Sequence, residues 1–167
     1  SALDIYADES TLKNEFGEVV QIKTQNERVK EILENLFYDI LNVEFNLWAW
    51  TRNMVKYGDF FLSLEIQPGS GIINVKPLPV YETERLENTD PNNPNYVKFK
   101  VNHDPIGKGE YENYEIVHFR LLSDTNFLPY GKAMIENGRR IWKQVSLMED
   151  AMLIHRIMRA PDKRVFK

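Results

Sequence analysis

The residues with the broadest chemistry in this sequence are its three histidines, His103, His118 and His155. The surrounding pattern predicts a loop, a strand and a helix, respectively. None of the three has a second histidine or a carboxylate at ligand spacing, whereas a metal site needs several ligands that converge on one ion. The histidines therefore do not predict a metal site. His118, within EIVHFRL, is expected to be a half-buried strand residue.

Acidic and hydroxyl side chains offer the remaining routes to catalysis. Glu82 and Glu84 would share one face of a strand, and a glycosidase uses two carboxylates. Acid pairs of this kind are common on solvated strands, however, and no second feature supports catalysis. The serines lack a G-x-S-x-G turn, no lysine-containing phosphate loop occurs, and the chain contains no cysteine. The sequence thus predicts a protein that is not an enzyme, with no catalytic, metal or cofactor-binding residues. A hydrolase that uses the carboxylates is the weakest alternative.

Aromatic residues are concentrated between residues 45 and 61. Two functions fit such a group, a platform on which nucleic-acid bases stack or a hydrophobic core. Basic residues are few in this stretch, with Arg52 and Lys56 against Glu44 and Asp59. Core packing is therefore the better interpretation. The aromatic residues are Phe45, Trp48, Trp50, Tyr57, Phe60 and Phe61.

Charge is distributed unevenly along the chain. From Tyr130 onward nine lysines and arginines stand against four acids, a net charge of +5, whereas the whole chain carries −4. Residues 1–129 therefore carry −9. Such an acidic body does not bind phosphate backbones tightly. The basic end suits a nucleic acid or an acidic protein surface, although solvated helix faces explain it equally well.

Two helices are predicted near the N-terminus from the 3.6-residue period of the apolar positions. The first spans residues 26–41, with Thr24 or Asn26 as its N-cap. The second spans residues 44–56 and ends at Gly58, as helices often end at a glycine. The side chains predicted to form the core on this face are Leu33, Leu36, Phe37, Ile40, Trp48 and Phe61.

Between residues 59 and 121 the apolar period changes to 2, which indicates β-strands. The sequence PGSG at residues 68–71 favours a reverse turn between the first two strands. The pattern predicts an antiparallel meander with one buried face, on which the N-terminal helices pack. The predicted strands are 60–66, 71–77, 80–86, 96–101 and 114–121. The fold class is therefore α+β.

A long C-terminal helix is predicted to begin after residues 129–131 and to end at Arg159, before Ala160 and Pro161. Gly138 or Ser146 is expected to interrupt it. The helix has two apolar flanks, so it must contact more than one partner, its own domain on one flank and a neighbouring subunit on the other. One flank comprises Met134, Gly138, Ile141, Val145, Met148 and Met152. The other comprises Ile135, Trp142, Leu147, Ala151, Ile154 and Met158.

The ends of the sequence add one expectation. No apolar run approaches the roughly 18 residues of a membrane span, and the N-terminal segment lacks the pattern of a signal peptide. The last residues, Arg164, Val165 and Phe166, begin a new strand-like element. The chain is therefore expected to be an internal piece of a longer protein.

Five segments carry a resemblance to a known family. They are ALDIYADES (2–10), MVKYGDFF (54–61), HFRL (118–121), PYG (129–131) and IWKQVSLMEDAMLIHRIMRAPDKRVF (141–166). The last segment is the most specific of the five. Together they resemble the portal vertex proteins of T-even-like tailed bacteriophages, over essentially the whole chain.

The resemblance implies a structural role without catalysis. Portal proteins form a homo-dodecameric ring at one capsid vertex, through which double-stranded DNA is packaged and ejected without being tightly bound. The implied partners are other portal subunits, the terminase motor, and capsid and neck proteins, with no small-molecule substrate and no cofactor. The implied location is the portal vertex of the virion, after synthesis in the cytoplasm of the bacterial host.

The resemblance also divides the chain. Residues 1–129 resemble the wing, residues 130–160 the long helix that leads into the stem, and residues 161–167 the start of a truncated clip strand. A free-standing protein-interaction adaptor without catalytic activity is the alternative, and continuation past residue 167 into a clip distinguishes the two.

The candidate functional residues that follow from the resemblance are of two kinds. Arg156, Arg159, Lys163 and Arg164 are the candidate channel-lining or DNA-proximal residues. Met148, Met152 and Ile154 are the candidate contacts between subunits.

Overall fold

A computed structural model of the chain describes residues 1–104, 107–122 and 129–159. The chain divides into two compact units, Ser1–Ala133 and Met134–Lys167. Within the described residues, the first unit contains three α-helices, a π-helical segment, a short 3-10 helix and two β-sheets, and the second contains a 3-10 helix and the long C-terminal helix. The predicted α+β fold, with N-terminal helices, antiparallel strands and a long last helix, is confirmed.

The first unit begins with a helix that the sequence pattern did not predict, α1 at Ala2–Ser10. The predicted helix over residues 26–41 is present as α2 at Glu27–Glu34, which continues as a π-helical segment at Asn35–Ile40. The side chain of Asn26 caps α2 by accepting a hydrogen bond from the Arg28 backbone N–H at 3.0 Å.

The next helix, α3, spans Val43–Tyr57 and ends as the sequence predicts. Gly58 has a φ of 87°, in the left-handed region that favours glycine, and its backbone N–H donates to the Met54 carbonyl at 2.7 Å. The chain then enters the first strand without an intervening loop, since that strand begins at Asp59. Gly58 therefore fixes the angle between the helix layer and the sheet.

In the part of the chain that the structure describes, the strands form two antiparallel sheets of three strands each. Sheet A has the order β2-β1-β6 and sheet B the order β3-β4-β5. The chain leaves sheet A at Pro79 and passes through a short 3-10 helix at Val80–Glu82 before β3, which separates the two sheets. The strands are β1 at Asp59–Gln67, β2 at Gly71–Leu78, β3 at Thr83–Leu86, β4 at Lys98–Val101, β5 at Glu110–Glu112 and β6 at Ile116–Arg120.

Strand β1 is the centre of the first unit, because it is covered on both faces. Its odd-numbered side chains point to sheet B, where Phe61 and Ser63 are almost fully buried. Its even-numbered side chains, Phe60 and Leu62, point to α3 and are also buried. The core between the sheets is completed by Leu78, Phe99, Val101, Tyr111 and Ile116. A strand buried on both faces explains the continuous apolar run at residues 60–62.

The predicted core is only partly correct. Phe61 is buried as predicted, whereas Trp48 is 39% exposed. Trp48 points toward α1 and not toward the sheet, because its indole N–H donates to the Asp8 carboxylate at 2.7 Å. The four remaining residues are half-buried, and three of them lie in the π-helical segment Asn35–Ile40. They are Leu33, Leu36, Phe37 and Ile40.

The second unit begins with a 3-10 helix at Met134–Gly138 and continues as helix α4 at Arg139–Arg159. The predicted interruption therefore falls at Gly138. The 21 residues of α4 span about 32 Å at 1.5 Å per residue. The predicted stop at Ala160 and Pro161 lies outside the described residues. No helix in the described part of the chain is long and apolar enough to cross a membrane.

Replacing Phe61 with alanine should lower the free energy of unfolding by about 3–5 kcal/mol, the usual cost of removing a ring from a packed core. The same change at Phe37 should cost less, because Phe37 is half-buried and lines a cavity. Urea denaturation of the two variants and the parent chain measures both values. A loss at Phe37 as large as that at Phe61 would contradict the assignment of the core to the space between the sheets.

Candidate functional site

Helix α4 contains most of the residues that the sequence analysis singled out. Every residue of α4 is exposed except Ser146, which is half-buried. The candidate subunit contacts Met148, Met152 and Ile154 are 65%, 56% and 56% exposed. Side chains of both apolar flanks are therefore not buried by packing within the helix itself.

The candidate residues on α4 do not separate into an apolar and a basic side. At 3.6 residues per turn, Met148, Met152, Arg156 and Arg159 fall within one strip along the helix, and Ile154 lies on the other side. Met148, Met152 and Arg156 also line one shallow depression with Ala151 and His155. Lys163 and Arg164 lie outside the described residues.

Apolar side chains occur all around α4. Ile141 and Val145 lie near the methionine strip, while Leu153, Ile157 and Leu147 occupy the other sides, and all five are between 41% and 69% exposed. A surface helix of a globular protein has one apolar stripe and one polar face, whereas a helix that is apolar all round is normally buried. Helix α4 has no single polar face: apolar side chains are exposed on more than one of its sides, among seven charged residues.

A second constellation lies in the first unit, where three distant segments meet at one carboxylate. Asp59 Oδ1 is 2.8 Å from His118 Nε2 and accepts a hydrogen bond from the Gly131 backbone N–H at 2.8 Å. The Asp59 and His118 side chains are only 8% and 7% exposed. We call Gly58, Asp59, His118 and Gly131 the Asp59 cluster.

Backbone contacts close the Asp59 cluster. The Gly58 carbonyl accepts from the Leu121 N–H at 2.8 Å, and the Leu121 carbonyl accepts from the Lys132 N–H at 3.1 Å. A Cβ atom on Gly131 would lie 2.0 Å from the Gly58 carbonyl oxygen. Only glycine at position 131 permits this approach. Nearby, Arg120 Nη1 donates to the Pro129 carbonyl at 2.8 Å.

The His118 ring is packed among aromatic rings. It stacks on Phe61 with 4.3 Å between centroids and meets Phe99 edge-on at 6.0 Å. The sequence analysis missed its carboxylate partner, because Asp59 is 59 residues away in the sequence. His118 is a half-buried residue of strand β6, as predicted, and its side chain is the more enclosed part, at 7% exposed.

An aspartate that holds a histidine supplies two of the three members of a Ser-His-Asp arrangement, so the Asp59–His118 pair is the strongest resemblance to a catalytic group among the described residues. In such a site the second imidazole nitrogen faces a nucleophile. In the described part of the chain, His118 Nδ1 is buried and has no hydrogen-bond partner. Within the described ranges, no three acids or histidines are grouped so as to hold a metal ion. The geometry therefore supports a structural role for the pair.

A scan against protein-family models matches residues 1–167 to the family described as Bacteriophage T4-like portal protein (Gp20). The chain belongs to this family. A search among curated proteins found no match. The resemblance read from the sequence is thereby confirmed, and portal proteins are structural components of the phage virion that belong to the head–tail connector and to DNA packaging.

The fold explains the presence of several of the portal-like segments of the sequence. Segments GDFF (58–61), HFRL (118–121) and PYG (129–131) meet in and around the Asp59 cluster. Segment ALDIYADES (2–10) is α1, which is held to α3 by Asp4 on Arg52 Nε at 2.6 Å and by Asp8 on Trp48. Much of what is specific in the sequence of the first unit therefore serves its internal assembly.

The close approach of Gly131 to Gly58 can be tested with two glycine-to-alanine variants. Gly131→Ala should lower the Tm clearly, because the new methyl group must displace backbone atoms. Gly138→Ala should leave the Tm unchanged or slightly raised, since nothing lies within 4 Å of its Cβ position and alanine is the better helix former. Differential scanning calorimetry measures both, and equal Tm values for the two variants would contradict the packing described.

The acceptor role of Asp59 predicts an order of stability between two substitutions. Asp59→Ala leaves the His118 and Gly131 N–H groups buried without an acceptor, at a cost of about 1–3 kcal/mol each. Asp59→Asn keeps a side-chain carbonyl that can accept both hydrogen bonds, so it should be less destabilising. Chemical denaturation at neutral pH compares them. If the two variants were equally destabilised, the negative charge and not the hydrogen bonds would be the stabilising feature.

Proposed function

We propose that this chain contributes the wing and the beginning of the stem to a portal subunit, and that copies of the subunit form a ring around a DNA channel at the capsid vertex. In this proposal residues 1–129 form the wing, residues 130–160 the helix that leads into the stem, and residues 161–167 the start of the clip. The terminase motor docks on the assembled ring during packaging, and capsid and neck proteins surround it. Membership of the portal family supports the general role.

The observation that carries the proposal is the apolar surface of α4. A helix with exposed isoleucine, leucine, methionine and tryptophan on all sides is costly in water, at about 25 cal/mol for each Å² of apolar surface. In a ring each copy of α4 has a neighbour on either side, so both flanks become buried. Packing between copies therefore buries the apolar side chains that α4 exposes.

The charge distribution along the chain supports a channel that does not bind DNA tightly. Residues 1–133 contain 13 lysines and arginines and 21 acids, a net charge of −8. Helix α4 carries five basic residues, and Glu149 and Asp150 oppose them. Tight binding of duplex DNA requires many cationic contacts with phosphates. Scattered charges of both signs permit the duplex to slide.

The position of the two arginines defines their proposed role. Arg156 and Arg159 lie in the last turn of α4, on the same strip as Met148 and Met152. We propose that the methionines pack against a neighbouring copy, while the long arginine side chains reach past the packed surface to the channel or to solvent. Ile154, on the other side of the helix, packs against the neighbour on the opposite flank.

Substitutions in the complete gene product test these roles. Met152→Glu should prevent or strongly weaken ring assembly, because it places a charge in an apolar contact. The double change Arg156→Ala and Arg159→Ala should leave the ring intact and alter DNA packaging or retention only modestly. Negative-stain imaging and light scattering report assembly, and a packaging assay reports DNA translocation.

Two outcomes would contradict the proposal. Normal rings formed by the Met152→Glu variant would show that this strip of α4 is not a subunit contact. Strong, salt-sensitive binding of duplex DNA by the parent ring, abolished in the double arginine variant, would show that these residues bind DNA tightly and that the channel does not merely let it slide.

A further inference from the structure

The residues just before the second unit are attached to the first unit in an unusual way. Residues 129–132 lie shortly before the boundary between the units, which falls after Ala133. They belong to no helix or strand. Each of the four nevertheless makes a hydrogen bond to another part of the first unit. We call residues 129–132 the anchor segment.

Two of these hydrogen bonds join the start of the anchor segment to different sheets. Arg120 of β6, in sheet A, donates from Nη1 to the Pro129 carbonyl at 2.8 Å. The backbone N–H of Arg85 of β3, in sheet B, donates to the Tyr130 hydroxyl at 2.9 Å. The Tyr130 ring also lies 6.4 Å from the His118 ring, measured between centroids. The anchor segment is therefore attached to both sheets.

The second half of the anchor segment is attached to the interior of the unit. The Gly131 N–H donates to Asp59, whose side chain is 8% exposed and also contacts His118. The Lys132 N–H donates to the Leu121 carbonyl at 3.1 Å. A buried polar group that loses its partner costs free energy, because water does not reach it readily. Moving the segment away from Asp59 is therefore unfavourable.

These contacts distinguish the anchor segment from an ordinary linker. Boundaries between folded units normally fall in exposed linkers that make few contacts, and such linkers permit relative motion. The anchor segment instead makes a hydrogen bond at each of four consecutive residues without forming regular secondary structure. The chain is thereby fixed up to residue 132, one residue before the first unit ends. An assembly gains from such order, because a segment that is already ordered loses less entropy on binding.

We infer that the anchor segment preorganises each copy for ring assembly, and that Asp59 acts on assembly as a positioning residue from inside the first unit. This inference rests on the proposed ring and adds to it a device that does not depend on contact between copies. When the segment is released, the backbone before α4 gains conformations, and each copy must lose them again on entering the ring. Loss of the Asp59 carboxylate therefore weakens association as well as stability.

An insertion tests the inference without changing the anchor segment itself. Gly-Ser-Gly is placed between Ala133 and Met134 of the complete gene product. Association should weaken by at least about tenfold, as measured by sedimentation across a concentration series, because ordering each added residue costs about that factor. The Tm, measured where the parent is dissociated, should match that of the parent. The control is the same insertion between Gly69 and Ser70, in the exposed turn between β1 and β2, which should leave association unchanged.

A double-mutant cycle separates positioning from stability. Asp59→Ala removes the acceptor and should weaken association of the parent, whereas Asp59→Asn can still accept both hydrogen bonds and should retain most of it. In the insertion variant, at concentrations where that variant still associates, Asp59→Ala should have no further effect. The anchor segment no longer orders the chain before α4 in that variant, so the two changes are not additive.

Hydrogen exchange shows whether Asp59→Ala releases the anchor segment alone. The amides of Gly131 and Lys132 should exchange faster than in the parent, while those of β1, which is paired on both sides, should stay protected. Loss of protection throughout the first unit would overturn the inference, because the segment would then be inseparable from the core.

Three results of the association measurements would also overturn the inference. They are normal association of the variant with the insertion after Ala133, equal losses from the two insertions, and additive effects in the cycle. A parent that forms rings while these tests fail would leave the proposed function standing. A parent that forms no ring contradicts that function itself.

Discussion

The carboxylate of Asp59 joins parts of the first unit that are up to 72 residues apart in the sequence. One oxygen accepts from the imidazole of β6 and from the backbone that precedes the second unit, at a point where Gly58 and Gly131 bring two chains into close contact. Because Asp59 directly follows the cap of α3, the same residue also fixes where the helix layer meets the sheet. The segment that leads to α4 is thereby attached to the most buried strand of the unit.

The two units differ in how much of their apolar surface is buried. The first unit buries β1 on both faces and needs no partner for that part of its core. Helix α4 buries nothing comparable and exposes apolar residues around its whole circumference. The first unit therefore has a packed core of its own, and in the proposed ring the apolar surface of α4 is covered by neighbouring copies. A folded unit joined to a helix with exposed apolar side chains is consistent with a subunit of a large assembly.

The sequence predicted those features that depend on local patterns. The period of the apolar residues predicted α3, β1, β2 and the long helix, and Gly58 and Gly138 marked boundaries that the structure confirms. It did not reveal α1, whose attachment depends on Asp4 and Asp8 meeting a distant helix, nor the pairing of Asp59 with His118. The split into two sheets was also missed, since the strand period does not say which strands become neighbours. The core prediction was wrong at Trp48 because its indole N–H donates to Asp8 of α1, a contact between residues that are distant in the sequence.

The central claim is that α4 is covered by copies of itself around a channel, and cryo-electron microscopy of the complete gene product tests it directly. We expect a closed ring with a central hole, in which the α4 helices of successive subunits lie side by side and bury Met148, Met152 and Ile154. A monomeric protein, or a ring in which α4 lies on the outer surface with these side chains still exposed, would contradict the account.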